Sequence, residues 1–261
     1  MIELNYDYTQ EEILDSLFQC GIKKGDSVFI HSNIGFFGAL KNANNKEEYY
    51  QSFKKALSEA LGKEGTIIVP TFSYSFCNKE GFNVKTTKGV CGVFSEQLRL
   101  DPEAFRSEDA NFSVAAVGRL ASFFTEDAPE FSFGPGSFWD KFLKNKGIFC
   151  NFNFDAASTF IHYVERTLKV PYRYDKPFPG IIVNSEGKAE KRVFYHFVYD
   201  LNTPELIANF ERFSSLVLEK NIATTSNLGK GQITKISAEN VYDFIETQIK
   251  SEPYFLTAKG R

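Results

Sequence analysis

Four side chains in the middle of the chain have both the types and the spacing for proton-transfer chemistry. In the segment FDAASTFIHYVERTL, Asp155, Thr159 and His162 stand four and three residues apart, and Glu165 follows three further on. Steps of three and four place side chains on one face of a helix. The run from about Ala156 to Leu168 has the pattern for such a helix, with Pro171 to end it. A carboxylate or hydroxyl beside an imidazole fixes its tautomer and raises its basicity, which is what a general base needs. An amphipathic helix with a polar outer face has the same spacing, so the motif alone leaves both readings open.

The chain has only three histidines, so each can be weighed. His31 ends an apolar run and begins the small turn HSNIGFFG, in which Ser32, Asn33, Gly35 and Gly38 offer hydroxyls and backbone N–H groups. His196 alternates with aromatic residues in RVFYHFVY and reads as a packed or surface residue of a strand. Pro70, Thr71, Phe72 and Ser73 form a second polar strand end. Arg106–Ser107–Glu108–Asp109 sets a cation among acids in a loop, an arrangement that a surface ion cluster shares.

The elements that must position these residues alternate. Thr9 and Glu12 form a capping-box pattern before Ile13, Leu14, Leu17 and Phe18 at helical spacing. Ser27–Ile30 reads as a buried strand, Asn45 as the cap of a helix from Glu47 to Leu61, and Thr66–Val69 as the next strand, stopped by Pro70. Val93–Leu100 and a Ser137-capped stretch through Lys144 read as helices, with Phe112–Phe124 a strand or a short helix. Gly147–Phe152 is a third strand, leading directly to His162. This alternation is the signature of βαβ units and a mainly parallel central sheet flanked by helices. The last third differs. Ile181–Val183 and Arg192–Tyr199 alternate like antiparallel strands, Ile233–Lys235 is a short strand, and helices are expected over about 204–219 and 237–250. The 261 residues therefore read as one α/β domain, with residues 1–170 as core and 171–261 as a smaller antiparallel portion on the acceptor side.

Composition narrows the partners. Net charge is −3, with 30 basic and 33 acidic residues mixed along the chain, and no basic stripe of the kind a nucleic-acid binder needs. KNANNK at 41–46 and KAEKR at 188–192 read as solvated loops. Cys20, Cys77, Cys91 and Cys150 have neither CxxC spacing nor nearby histidines, so neither a metal site nor a disulfide framework is expected. There is no apolar leader at the N-terminus and no run of about 18 apolar residues, so the expectation is a cytoplasmic protein without a membrane span. Neither a Walker nor a dinucleotide fingerprint follows the first strand.

Six segments in order resemble the aminoglycoside 3-N-acetyltransferase family: HSNIGFFG (His31–Gly38), GTIIVPTF (Gly65–Phe72), TTKGVCGVFSEQLR (Thr86–Arg99), RSEDANFSVAAVG (Arg106–Gly118), Gly134–Ser137, and the D-x-x-x-T-x-x-H-x-x-E pattern of Asp155, Thr159, His162 and Glu165. The resemblance implies an α/β fold distinct from the GNAT fold, acetyl-CoA as donor, and direct transfer to a primary amine on a sugar. It implies His162 as general base, Thr159 as donor to the oxyanion, and Asp155 and Glu165 as orienting acids. It also implies that His31, Ser32, Asn33, Gly35, Pro70, Thr71, Phe72, Arg106, Ser107 and Ser113 hold the pantetheine arm and phosphates, and that the enzyme is a homodimer. No metal is required, because a thioester is already activated. The chain departs from antibiotic-modifying members at Glu108–Asp109–Ala110, where those carry a histidine–proline pair. Its VPYRYDKPFPG segment (Val170–Gly180) is similar to relatives found with surface-polysaccharide genes. The favoured acceptor is thus a nucleotide-linked amino sugar, with Arg173 and Lys176 on its diphosphate and Asp109 on the substrate. An aminoglycoside is the alternative. A serine hydrolase using His162 and Asp155 lacks the G-x-S-x-G elbow. A binding protein that has lost activity is at odds with the complete Asp–Thr–His–Glu set.

Overall fold

The computed structural model describes residues 6–260. Helix α1 (Gln10–Gln19) opens with the capping box: Thr9 Oγ1 accepts from Glu12 N at 3.2 Å, and Glu12 Oε2 accepts from Thr9 N at 2.7 Å. Strand β1 (Ser27–Phe29) leads through a 3-10 turn (Ile34–Phe37) to α2 (Lys46–Leu61), where Asn45 Oδ1 accepts from Glu47 and Glu48. Then come β2 (Thr66–Pro70), β3 (Phe82–Asn83), α3 (Val93–Leu100), β4 (Phe105–Arg106), β5 (Val114–Gly118), α4 (Ala121–Thr125) and α5 (Phe138–Lys144). Strand β6 (Ile148–Phe152), α6 (Ile161–Thr167), β7 (Arg173–Val183), β8 (Ala189–Tyr199), α7 (Glu211–Glu219), β9 (Thr224–Leu228), β10 (Gly231–Ser237) and α8 (Ala238–Ser251) complete the chain.

Seven strands form the main sheet in the order β4-β5-β2-β1-β6-β10-β9. The three central strands, β2, β1 and β6, are parallel, as the alternation implies, and the flanking strands are antiparallel. Period-two alternation sends Phe29, Ile68 and Phe149 to one face, against Trp139, Phe160 and Val164, and Val28, Ile30, Ile67 and Phe152 to the other, against Ile13, Leu57 and Phe94. Both faces are covered, which is why these strands read as unbroken apolar runs. A second sheet, β3-β7-β8, is dominated by an eleven-pair antiparallel hairpin, from Arg173 opposite Tyr199 to Val183 opposite Ala189. Among the described residues no helix is long and apolar enough to cross a membrane.

The carboxyl ends of β1, β2 and β6 share one edge, where ligands of open α/β sheets bind. The turn after β1 closes at Gly38, whose φ of +92° and contact with Asp7 leave no room for a Cβ.

Several expectations are corrected. The helix bearing His162 begins at Ile161, not near Ala156. Asn151 Nδ2 donates to the carbonyls of Asp155 (2.7 Å) and Ala157 (3.3 Å), and Asp155 Oδ1 accepts from Ala157 N at 2.9 Å. These side-chain bonds compete with helical pairing and hold the segment as a loop. The expected helix over 204–219 is a 3-10 turn (Pro204–Leu206) and then α7, the break falling where Ala208 bridges Thr257. Residues 189–192, read as loop, belong to β8, and strands β3, β4 and β9 were too short or too polar to read.

Phe149 is fully buried against the rings of Phe29, Phe142 and Phe160. Phe149→Ala is expected to lower stability by about 3–5 kcal/mol, seen in urea unfolding as a lower midpoint at unchanged slope.

Candidate active site

Helix α6 has only seven residues, with Ile161, Val164 and Glu165 facing inward and His162 at the rim. His162 Nδ1 lies 2.7 Å from Glu165 Oε2; the imidazole is 22% exposed and the carboxylate 0%. Tyr172 OH donates to Glu165 Oε1 at 2.8 Å, and Arg173 Nε stands 2.8 Å from Oε2. Arg173 Nη1 in turn donates to Phe197 O on the opposite strand at 3.2 Å. Burial pushes the Glu165 carboxyl up, but His162, Arg173 and Tyr172 outweigh it and hold it below its ordinary value. Against an ionised Glu165, Nδ1 must carry a proton, which leaves Nε2 with a free lone pair. Phe133 (5.6 Å) and Phe210 (5.8 Å) flank the ring. The pair is built as an oriented base.

His162 opens on a cleft of about 510 Å³ walled by β7, the end of β8 and the loop after β2. Its lining is mostly aromatic, including Tyr74, Phe112, Phe178 and Tyr199, and its charged members are Arg173, Lys176 and Asp200. Lys176 lies over the Phe178 ring at 5.4 Å.

His196 and Cys77 also line this cleft, and the chain's local spacing gave no sign that they meet. Asn111 Oδ1 accepts from Cys77 N at 3.1 Å, so its Nδ2 donates to His196 Nε2 at 2.9 Å. That turns the His196 Nδ1–H toward Cys77 Sγ, 3.5 Å away. Burial pulls His196 down to about 4 against a weaker upward pull from Asp109, and burial pushes the Cys77 thiol up to about 11. At neutral pH the two are an uncharged pair, and His196 is packed on Phe178 at 4.6 Å. The packed reading of His196 is therefore the observed one, with a cleft-lining edge added.

The expected orienting role of Asp155 has no counterpart here: it is exposed, in the loop before α6, and its electrostatic neighbour is His31. Thr159 is half-buried in that loop, its carbonyl accepting from His162 N at 3.1 Å. His31 lies on the α6 face of the sheet, 5.0 Å from Phe29, and burial draws it down to about 4. Ser32 is buried with its hydroxyl unbonded, Asn33 N donates to Phe152 O, and Gly35 is exposed. Pro70 and Phe72 are packed into the sheet and core.

Arg106, Thr71 and Ser113 are engaged with one another rather than free. Arg106 Nε reaches Thr71 Oγ1 and Ser113 Oγ, both at 3.2 Å; Nη1 reaches the carbonyls of Val84 and Thr87, and Nη2 that of Thr71. Burial lowers Arg106 to about 9, and its fork serves as an internal strut rather than a phosphate clamp. Asp109 is likewise structural: buried, it accepts from Asn111 N and Phe112 N. Ser107 lines a small cavity of about 20 Å³ that shares Phe112 with the cleft. The same cavity shares Glu126 and Ala128 with a depression of about 940 Å³ whose charged lining includes Lys85, Arg99 and Arg192 as well as Glu108 and Asp127. Arg106→Met is expected to lower stability by at least about 2 kcal/mol, because buried carbonyls lose charge-assisted bonds. Thermal unfolding and acetyl-CoA titration are the checks, with binding largely retained by the folded fraction.

A mixed sheet with a buried carboxylate–imidazole pair at its carboxyl edge defines an α/β protein equipped for base-assisted group transfer. The chain belongs to the aminoglycoside 3-N-acetyltransferase family, whose sequence profile matches residues 29–250. It is thereby an N-acetyltransferase by descent. An aminoglycoside N(3)-acetyltransferase III of Pseudomonas aeruginosa is 22% identical over 271 residues, covering 96% of this chain and 97% of that one. The structure of AAC-IIIb with CoASH superposes with a TM-score of 0.79 at 19% identity, covering 93% of this chain and 96% of that one. AAC-VIa bound to sisomicin gives 0.79 at 21% identity, over 94% and 98%.

Proposed function

We propose that the chain transfers an acetyl group from acetyl-CoA to a primary amine of an amino sugar, with His162 Nε2 as the proton acceptor. The observation that carries this reading is the buried Glu165, which holds Nδ1 of a histidine that lines the cleft and leaves Nε2 unengaged by that contact. A sugar amine is largely protonated at neutral pH and must lose a proton to attack a thioester. His162 takes that proton, the freed amine bonds to the carbonyl carbon, and the nitrogen gives up its second proton as the intermediate forms, which is the proton the departing thiolate receives. The tetrahedral intermediate then collapses with departure of the CoA thiolate, which is protonated to CoASH. Thr159 keeps the role of oxyanion donor that the resemblance implies, and Glu165, not Asp155, orients the base.

For the acceptor, the names of the relatives support an aminoglycoside. A nucleotide-linked amino sugar is the second reading. It is favoured by aromatic walls with no excess of acid, Lys176 matching Asp200 and Arg173 being paired with Glu165, whereas a polycation calls for acidic walls. Thiol release is to be followed with acetyl-CoA across aminoglycosides and nucleotide-linked amino sugars. One class is expected to release CoASH faster than buffer, and His162→Ala is expected to lower that rate by about 100- to 10,000-fold. A full-speed His162→Ala enzyme, or silence across the whole panel, removes the reading.

On the donor side, the depression lined by Lys85, Arg99 and Arg192 together with Glu108, Glu126 and Asp127 is the candidate site for the CoA phosphates, its cations the groups that would meet them. The turn of His31, Ser32, Asn33 and Gly35 keeps the donor-holding role that the resemblance implies. Lys85→Glu is expected to raise the acetyl-CoA KM several-fold with kcat little changed. An unchanged KM would place the donor elsewhere.

A further inference from the structure

One carboxylate oxygen, Glu165 Oε2, faces two cationic or potentially cationic groups, His162 Nδ1 at 2.7 Å and Arg173 Nε at 2.8 Å. The Arg173 side chain is 4% exposed, and Glu165 is its one carboxylate partner among the described residues. We infer that Arg173 is a positioning residue that sets how tightly the His162–Glu165 pair holds a proton, acting through Glu165 and tying the base to the β7–β8 hairpin. The inference rests on His162 being the base.

The argument is one of competing charges. A buried carboxylate with imidazole alone for company favours the imidazolium, because no other charge offsets it. Such a pair is a poor base near neutrality, since it already holds the proton. A guanidinium on the same oxygen offsets the carboxylate's charge and repels a proton on the ring. Arg173 does this from a fixed place, because it begins β7 and its Nη1 is bonded to Phe197 O across the hairpin. Tyr172 supplies the other oxygen with a neutral donor, satisfying it without altering the charge balance.

The charged and titratable groups around the pair are Glu165 on α6, Tyr172 just before β7, Arg173, Tyr174 and Lys176 on β7, His196 and Tyr199 on β8, Asp200 just beyond it, and Tyr74 and Cys77 in the loop after β2. His196 is uncharged at neutral pH. Lys176 and Asp200 are of opposite sign at the cleft wall, whereas Arg173 touches the carboxylate itself.

With the cation removed, the pair binds its proton more tightly, so the acid limb of kcat/KM against pH moves to higher pH. Arg173→Gln and Arg173→Met, the second keeping apolar packing, are expected to shift that limb upward by about one pH unit or more, with activity recovering at alkaline pH. Arg173→Lys is expected to restore most of the shift. The His162 ring signals in NMR, assigned by their loss in His162→Ala, are expected to titrate at correspondingly higher pH in apo protein. A loss merely of stability would lower activity at every pH and leave both curves in place. If either uncharged variant folds and its limb and ring titration overlay the parent's, the inference is overturned. If His162→Ala instead keeps full activity, it is the general-base reading that fails.

Discussion

A fully buried carboxylate with three donors converging on it is the constraint from which the rest of the site follows. An unpaired charge at the position of Glu165 would be prohibitively costly, so the fold must deliver partners to it from separate elements. It does so with an imidazole from its own helix, a phenol from the residue just before β7 and a guanidinium from the first residue of β7. The seven-residue α6 is just long enough to present His162 and Glu165 on adjoining positions, three residues apart, while Ile161 and Val164 fix it to the core. The groups nearest the proton on His162 thus meet at a single side chain, two by hydrogen bonds and Arg173 as an ion pair.

The parts of this arrangement that could be read from the sequence are the local ones. The capping box of Thr9 and Glu12, the Asn45 and Ser137 caps, and the three apolar strands leave their marks within a few residues, and they stand where the pattern puts them. The three-residue step from His162 to Glu165 is likewise local, and it is the part of the four-residue motif that forms the contact. Asp155 misled because Asn151, a strand residue, draws nearby carbonyls into a loop that helical periodicity does not anticipate. Arg106 looked like an anion ligand because its acceptors, residues 71, 84, 87 and 113, are scattered along the chain. The Cys77–His196 contact spans 119 residues and has no sequence signature at all.

The electrostatic character of the cleft comes from what is neutral as much as from what is charged. Two of the three histidines are held uncharged by burial, and the Cys77 thiol is held protonated by the same cause. Asp109, which would add a negative charge near the acceptor, is instead turned into the loop and satisfied by two backbone N–H groups. What remains, with Arg173 paired to Glu165, is an aromatic enclosure with one exposed cation and one anion, a surface that grips flat or apolar parts of a ligand and reads charge sparingly.

The β7–β8 hairpin joins its sheet through just two residue pairs with β3, Phe82 with Ile182 and Asn83 with Val183, with a further bridge from Phe131 to Tyr195. Side chains fasten it as well: Arg166 holds Asp175, Asn111 holds His196, and Ile182 and Phe194 pack against Phe76 and Phe82. Ribbon and seven-stranded body are thus one packed unit, and because Arg173 stands at the ribbon's root, a shift of that root is also a shift of the buried carboxylate's cation.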